Sequence, residues 1–138
     1  MTTSAIQTGY TQWASTYDTD HNLTRDLDQI VTRIMLSAGH YRSILEIGCG
    51  TGKNTQLFAQ IGDHVHGIDF SEGMLAQARA KGFGSRVVFS QADLMQPWPC
   101  ADQSMDLITC NLVLEHIADL SFVFAEAART LTATGSFW

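Results

Sequence analysis

The feature that most constrains this chain is a recurrence of short apolar runs spaced too far apart to pair as hairpins. They are Ser43 to Ile47, His64 to Ile68, Arg86 to Ser90, Met105 to Thr109 and Gly135 to Trp138. Their starts at 43, 64, 86, 105 and 135 lie 21, 22, 19 and 30 residues apart. A hairpin needs only a few loop residues, whereas a crossover between parallel strands needs a dozen or more, usually folded as a helix. Thr55 to Ile61, Gly73 to Lys81 and Leu120 to Leu131 read as such helices. The last places Leu120, Val123, Phe124, Ala127, Ala128 and Leu131 on one face, behind Asp119 as a cap. The link from Ser90 to Met105 carries Pro97, Pro99 and Asp102 and reads mainly as loop. Right-handed crossovers of this kind build a parallel sheet with helices on both faces, so the expected class is α/β with a doubly wound sheet.

Ahead of the first run, Leu23, Leu27, Ile30, Val31, Ile34 and Met35 recur at intervals that put one apolar stripe on a helix, with Asn22 as cap and Gly39 as stop. The expected organisation is one domain over 1–138, with an N-terminal helical segment at 1–40 and an α/β core over 41–138. With 45% hydrophobic and 16% charged residues the chain reads as globular, not disordered. Fourteen acidic against eight basic residues, net −6, is the wrong sign for tracking nucleic acid or an anionic membrane. Cys49, Cys100 and Cys110 form no Cys-x-x-Cys pair and are odd in number, which argues against a disulfide framework and fits a reducing cytoplasm. No basic, apolar leader and no run of about 18 apolar residues is visible, so no membrane insertion is expected. The apolar ending Gly135-Ser136-Phe137-Trp138 reads as a strand just begun. The chain is therefore expected to be truncated inside its fifth strand, with a sheet edge open to a missing segment or to self-association.

Ligands of such sheets sit beyond the carboxyl ends of the strands, near the point where strand order reverses. The first strand exits into Glu46-Ile47-Gly48-Cys49-Gly50-Thr51-Gly52, with glycine at every second position. Glycine permits positive φ and close approach of backbone to ligand. A dinucleotide fingerprint starting at Gly48 would need glycine where Lys53 stands, and a Walker A loop ending at Lys53 would need glycine where Ile47 stands. A nicotinamide-dependent oxidoreductase is thereby weakened. The second strand exits at Asp69, twenty-one residues beyond Gly48, near the offset at which an acidic side chain accepts from ribose hydroxyls. Asp69 could instead cap the next helix. Asp93, at the third exit, could receive an exocyclic amino group while Leu94 N–H meets a ring nitrogen, or it is a turn aspartate. Asn111, at the fourth, could hold an amino-acid moiety. His116 is suited to be a general base or is a polar cap. His64 and His66 share a strand face, but no carboxylate or cysteine joins them in sequence, so no metal is expected. Cys49 reads as a small spacer.

These motifs resemble those of the class I S-adenosylmethionine-dependent methyltransferases. Glu46 to Gly52 is similar to their first motif, Gly67-Ile68-Asp69-Phe70-Ser71 with Met74-Leu75 to the second, Ala92-Asp93-Leu94 to the third, and Asp106-Leu107-Ile108 through Asn111 to His116 to the fourth. Tyr10 to Asp18 resembles the amino-terminal segment of the small-molecule subgroup called methyltransferase type 11. The resemblance implies a Rossmann-like fold with about five of seven strands present and S-adenosyl-L-methionine as cofactor. Gly48, Cys49, Gly50 and Gly52 would cradle its methionine part, and Glu46 would support the loop or the ammonium. Asp69 would hold the ribose, Phe70 and Met74 would flank the adenine, Asp93 and Leu94 would meet its edge, and Tyr17 would close over the methionine end. The implied reaction is in-line methyl transfer to a small-molecule acceptor, with His116 as an optional base. The alternative is a cofactor-binding fragment without turnover.

Overall fold

The computed structural model describes residues 3–14, 22–111, 117 and 119–138. Tyr17 and His116 lie outside the described residues. In chain order the elements are α1 (Thr3–Trp13), α2 (Leu23–Leu36), β1 (Tyr41–Ile47), α3 (Thr55–Ile61), β2 (Gly62–Asp69), α4 (Glu72–Ala80), β3 (Val87–Gln91), β4 (Met105–Cys110), α5 (Leu120–Thr130) and β5 (Leu131–Phe137). The strands form one sheet of order β3-β2-β1-β4-β5, parallel throughout. The chain lays strands outward from β1 to β3, then returns to the other side of β1. The order therefore reverses between β1 and β4, the point at which sheets of this kind bind their ligands.

Caps define the helices as their sequences lead one to expect. Asn22 Oδ1 accepts from Arg25 N–H at 2.9 Å to start α2, and Asp119 Oδ1 accepts from Ser121 N–H at 3.0 Å to start α5. Period-two alternation along the strands divides the core into two clusters. Ile44, Val65 and Leu107 face α3 together with Leu36 of α2, Leu57, Phe58 and Ile61. Leu45, Ile47, Ile68 and Ile108 face α5 with Trp98, Val123 and Ala127.

Three regions differ from the sequence expectation. β5 begins at Leu131, directly after α5, but only Leu131 and the stretch from Ser136 onward are in register with β4. Trp138 continues that pairing, accepting from Cys110 N–H and donating to Ile108 O. In α5, Val123 and Ala127 are buried as expected, joined by Thr130, while Leu120 and Phe124 stay exposed. The third difference is the orientation of α2. Its apolar stripe points outward, with Leu23 76% and Ile34 70% exposed, and Arg25, Thr32 and Leu36 are the buried positions. Polar partners at the sheet's carboxyl end, described below, select the inward face.

Candidate functional site

The site grows from the loop after β1. Gly48, Gly50 and Gly52 all have left-handed backbone, with φ of 68°, 55° and 86°. A side chain in that region costs about 1–2 kcal/mol, so glycine is required at alternate positions for the loop to fold back on itself. The fold-back is pinned at its start, where Gly48 and Cys49 N–H both donate to Ile68 O at the end of β2, at 2.8 and 3.1 Å. Cys49 is buried, and burial together with the Glu46 and Asp69 charges pushes its thiol well above the ordinary range. It packs as a neutral spacer beneath Gly67.

Asp69 ties this loop to the next strand end. Its Oδ2 accepts from Gly50 N–H and its Oδ1 from Ser71 N–H, each at 2.9 Å. Burial raises its pKa, opposed by hydrogen bonds from the backbone of Ser71, Gly50 and Phe70. The cap of α4 is Ser71, whose Oγ accepts from Met74 N–H at 3.3 Å. The Asp69 carboxylate retains acceptor capacity beyond these backbone donors. Glu46, 4% exposed, accepts from the Thr55 hydroxyl at the start of α3. Desolvation raises its pKa to about 8, with Asp69 adding to the rise and Thr55 and Lys81 opposing it.

The expected aromatic and thioether pair is split. Phe70 is half-buried and meets the Tyr10 ring edge-on at 5.5 Å, whereas Met74 is enclosed, 1% exposed. α1 reaches this point by crossing the start of α4. Gln7 donates to Phe70 O, and Thr11 Oγ1 bonds Ser71 Oγ at 2.7 Å. Gly73 makes the crossing possible, since a Cβ there would stand 2.9 Å from both Thr11 Cγ2 and Thr11 O. At the third exit, Asp93 is exposed and its Oδ1 accepts from Met95 N–H at 2.9 Å, the local bond of a turn aspartate. Leu94 packs against the α5-side core, and its carbonyl accepts from Trp98 Nε1–H at 3.1 Å.

At the fourth exit the structure adds residues that sequence reasoning missed. Asn111 Nδ2 donates to Asp28 Oδ1 at 3.0 Å and to Thr32 Oγ1 at 2.9 Å. Asp28 Oδ2 also accepts from Asn54 Nδ2 at 3.4 Å, just before α3. Asn111 Oδ1 is shielded and has no partner among the described residues, as is Thr109 Oγ1 on the same strand face. Leaving such an acceptor unpaired costs about 1–3 kcal/mol, so each calls for a partner that the described residues do not supply. Arg25, Asp28, Gln29 and Thr32 recur at helical spacing opposite the apolar stripe. That regular polar row was the available signal, and periodicity alone assigns it to water.

Among the described residues, no three His, Cys, Asp or Glu side chains are grouped to hold a metal ion. His66 Nε2 instead meets Ser90 Oγ at 2.9 Å. No described helix is long and apolar enough to cross a membrane.

A parallel sheet of this order, with a glycine loop after β1 pinned to an aspartate after β2, is the α/β class I methyltransferase fold. Residues 45–138 match the family described as a methyltransferase domain, and the chain belongs to that family. It is 36% identical over 116 residues to methyltransferase GfsG of Streptomyces halstedii, covering 80% of this chain and 41% of that protein. To the ubiquinone biosynthesis O-methyltransferase of Hahella chejuensis it is 34% identical over 90 residues, 64% of this chain and 38% of the relative. The matched stretches thus cover less than half the length of these two relatives. Among solved structures, the DhpI–SAH complex superposes with a TM-score of 0.81 at 28% identity, covering 95% of this chain and 64% of that one. An S-adenosylmethionine-dependent methyltransferase from Mesorhizobium loti gives 0.69 at 32% identity, covering 78% and 50%.

Proposed function

We propose that residues 1–138 form the cofactor-binding domain of an S-adenosylmethionine-dependent methyltransferase whose acceptor is a small molecule. The observation that carries this reading is the glycine loop closed onto Asp69 beside the reversal of strand order. The donor and acceptor chemistry fits. S-adenosylmethionine presents ribose hydroxyls, an ammonium group and a positive sulfonium, and the site offers acceptors: the remaining capacity of Asp69, the orphaned Asn111 Oδ1 and the buried Glu46.

In this reading Asp69 holds the ribose hydroxyls and the backbone of Gly48, Cys49, Gly50 and Gly52 cradles the methionine part. Phe70 borders the adenine, and Asp93 with Leu94 N–H meets its edge. Met74 is enclosed in the interior, and Glu46 anchors the start of α3 through Thr55. Tyr17 as a closing ring and His116 as an optional base rest on the sequence resemblance alone. When bound, the cofactor supplies a methyl group activated on sulfonium sulfur. The protein's work is to orient an acceptor atom in line with it and to keep water out.

Calorimetric titration of the chain with S-adenosylhomocysteine tests the reading. One site is expected, and Asp69→Ala should weaken it by about tenfold or more, as for loss of hydrogen bonds to a charged group. No binding to the folded chain would sink it. The alternative reading is binding without turnover. Transfer of labelled methyl groups to an acceptor in a host extract, dependent on this polypeptide, would reject it.

A further inference from the structure

We propose that Asp28 and Thr32, on the inward face of α2, are positioning residues that fix the Asn111 amide with Oδ1 toward the ligand, as an acceptor for the cofactor's ammonium group. The inference rests on the cofactor reading above and adds to it two residues from outside the strand-end motifs. An amide side chain can present either its NH₂ or its oxygen to a given side, and nothing in Asn111 itself selects between them. Asp28 makes the selection. A carboxylate oxygen accepts, so the NH₂ must turn toward Oδ1 of Asp28 at 3.0 Å. Thr32 Oγ1 at 2.9 Å takes the second N–H, and the donor capacity of the amide is then used up. Asn111 Oδ1 is left enclosed and without a partner among the described residues, one residue past β4. It sits at the reversal of strand order, where a ligand lies in such sheets.

The chemistry of that oxygen sets the class of group it takes. An amide oxygen attracts an N–H or O–H donor and repels a carboxylate, so of the two charged groups at the methionine end it selects the ammonium. Asp28 also receives Asn54 Nδ2 through its other oxygen, which links the amide's orientation to the residue just before α3. This accounts for the rotation of α2: turning the apolar stripe inward would carry Asp28 and Thr32 away from Asn111.

The test compares two ligands by calorimetry: S-adenosylhomocysteine and its analogue with the α-amino group replaced by hydrogen. The variant Asp28→Ala/Thr32→Val should lose about tenfold in affinity for the first and less than about twofold for the second, as for one hydrogen bond to a charged group. Thr32→Ser, which keeps the hydroxyl, should bind both like the unaltered chain. Equal loss with both ligands would show a merely structural role, and no loss with either would show that the amide needs no positioning; each overturns the inference and leaves the cofactor reading standing. Failure of the unaltered chain to bind either ligand removes both. Should the double variant not fold, Thr32→Val alone, close in shape, is read the same way with an expected selective loss of about threefold.

Discussion

The two faces of the sheet part company at its carboxyl end. On the α5 side apolar side chains run to the strand exits, with Leu45, Ile47, Ile68 and Ile108 closed over by Trp98, Val123 and Ala127. On the α2–α3 side the same strands contribute Ile44, Val65 and Leu107 further down, then change character to Glu46, Thr109 and Asn111. The helices answer in kind, Leu36, Phe58 and Ile61 against the apolar part, Asp28, Thr32 and Thr55 against the polar part. One residue step along a strand therefore separates side chains packed in the apolar core from enclosed polar ones. Apolar burial needs only to exclude water. Polar burial needs partners, and a buried group without one carries the cost of its lost hydration.

The comparison can be broken at adjacent residues. Ile108→Ala should cost about 2–5 kcal/mol in denaturant unfolding, since Ile108 is fully enclosed on the apolar face. A loss much below that range would mean that this face is not the tightly packed one. Next in size is a pH effect confined to the polar face. Glu46 titrates at about 8 when folded against the usual 4.5, so the folded state holds its proton more tightly than the unfolded chain. Its contribution to stability is full below 4.5 and is lost as pH rises through about 8. Asp69 is shifted in the same direction. Glu46→Gln should flatten that decline in unfolding curves taken across the window, and an unchanged slope would contradict the assignment.

Smaller effects sharpen the contrast. Thr109→Val, beside Ile108 but on the other face, removes an enclosed hydroxyl that has no partner among the described residues. Measured without ligand, it should leave stability unchanged or raise it by up to about 1 kcal/mol. A clear loss would reveal an interaction made by that hydroxyl. Leu27→Ser or Ile34→Ser, on the outward stripe of α2, should stay within about 0.5 kcal/mol. A core-sized loss there would show the helix turned the other way.

Much of this was legible in the residue string. Strand spacing identified the parallel sheet, and caps at Asn22 and Asp119 located two helix starts. Alternate glycines announced the left-handed turns that β1 feeds into. Asp69 was visible as a strand-exit acid, but its double duty, pinning Gly50 and opening α4, depends on where two separate exits meet. Asp93 shows the opposite limit, because its turn bond is local and its exposure is not.

Local pattern determined which segments become helices and strands and where the chain must turn, because backbone preference and side-chain period act over a few residues. Tertiary structure decided the rotation of α2 about its own axis. That choice is made by Lys53, Asn54 and Asn111, the last 83 residues from Asp28, which draw the polar row inward and leave the apolar row outside. Periodicity can say that a helix has two faces; only the partners that the fold brings to it select the one that turns inward.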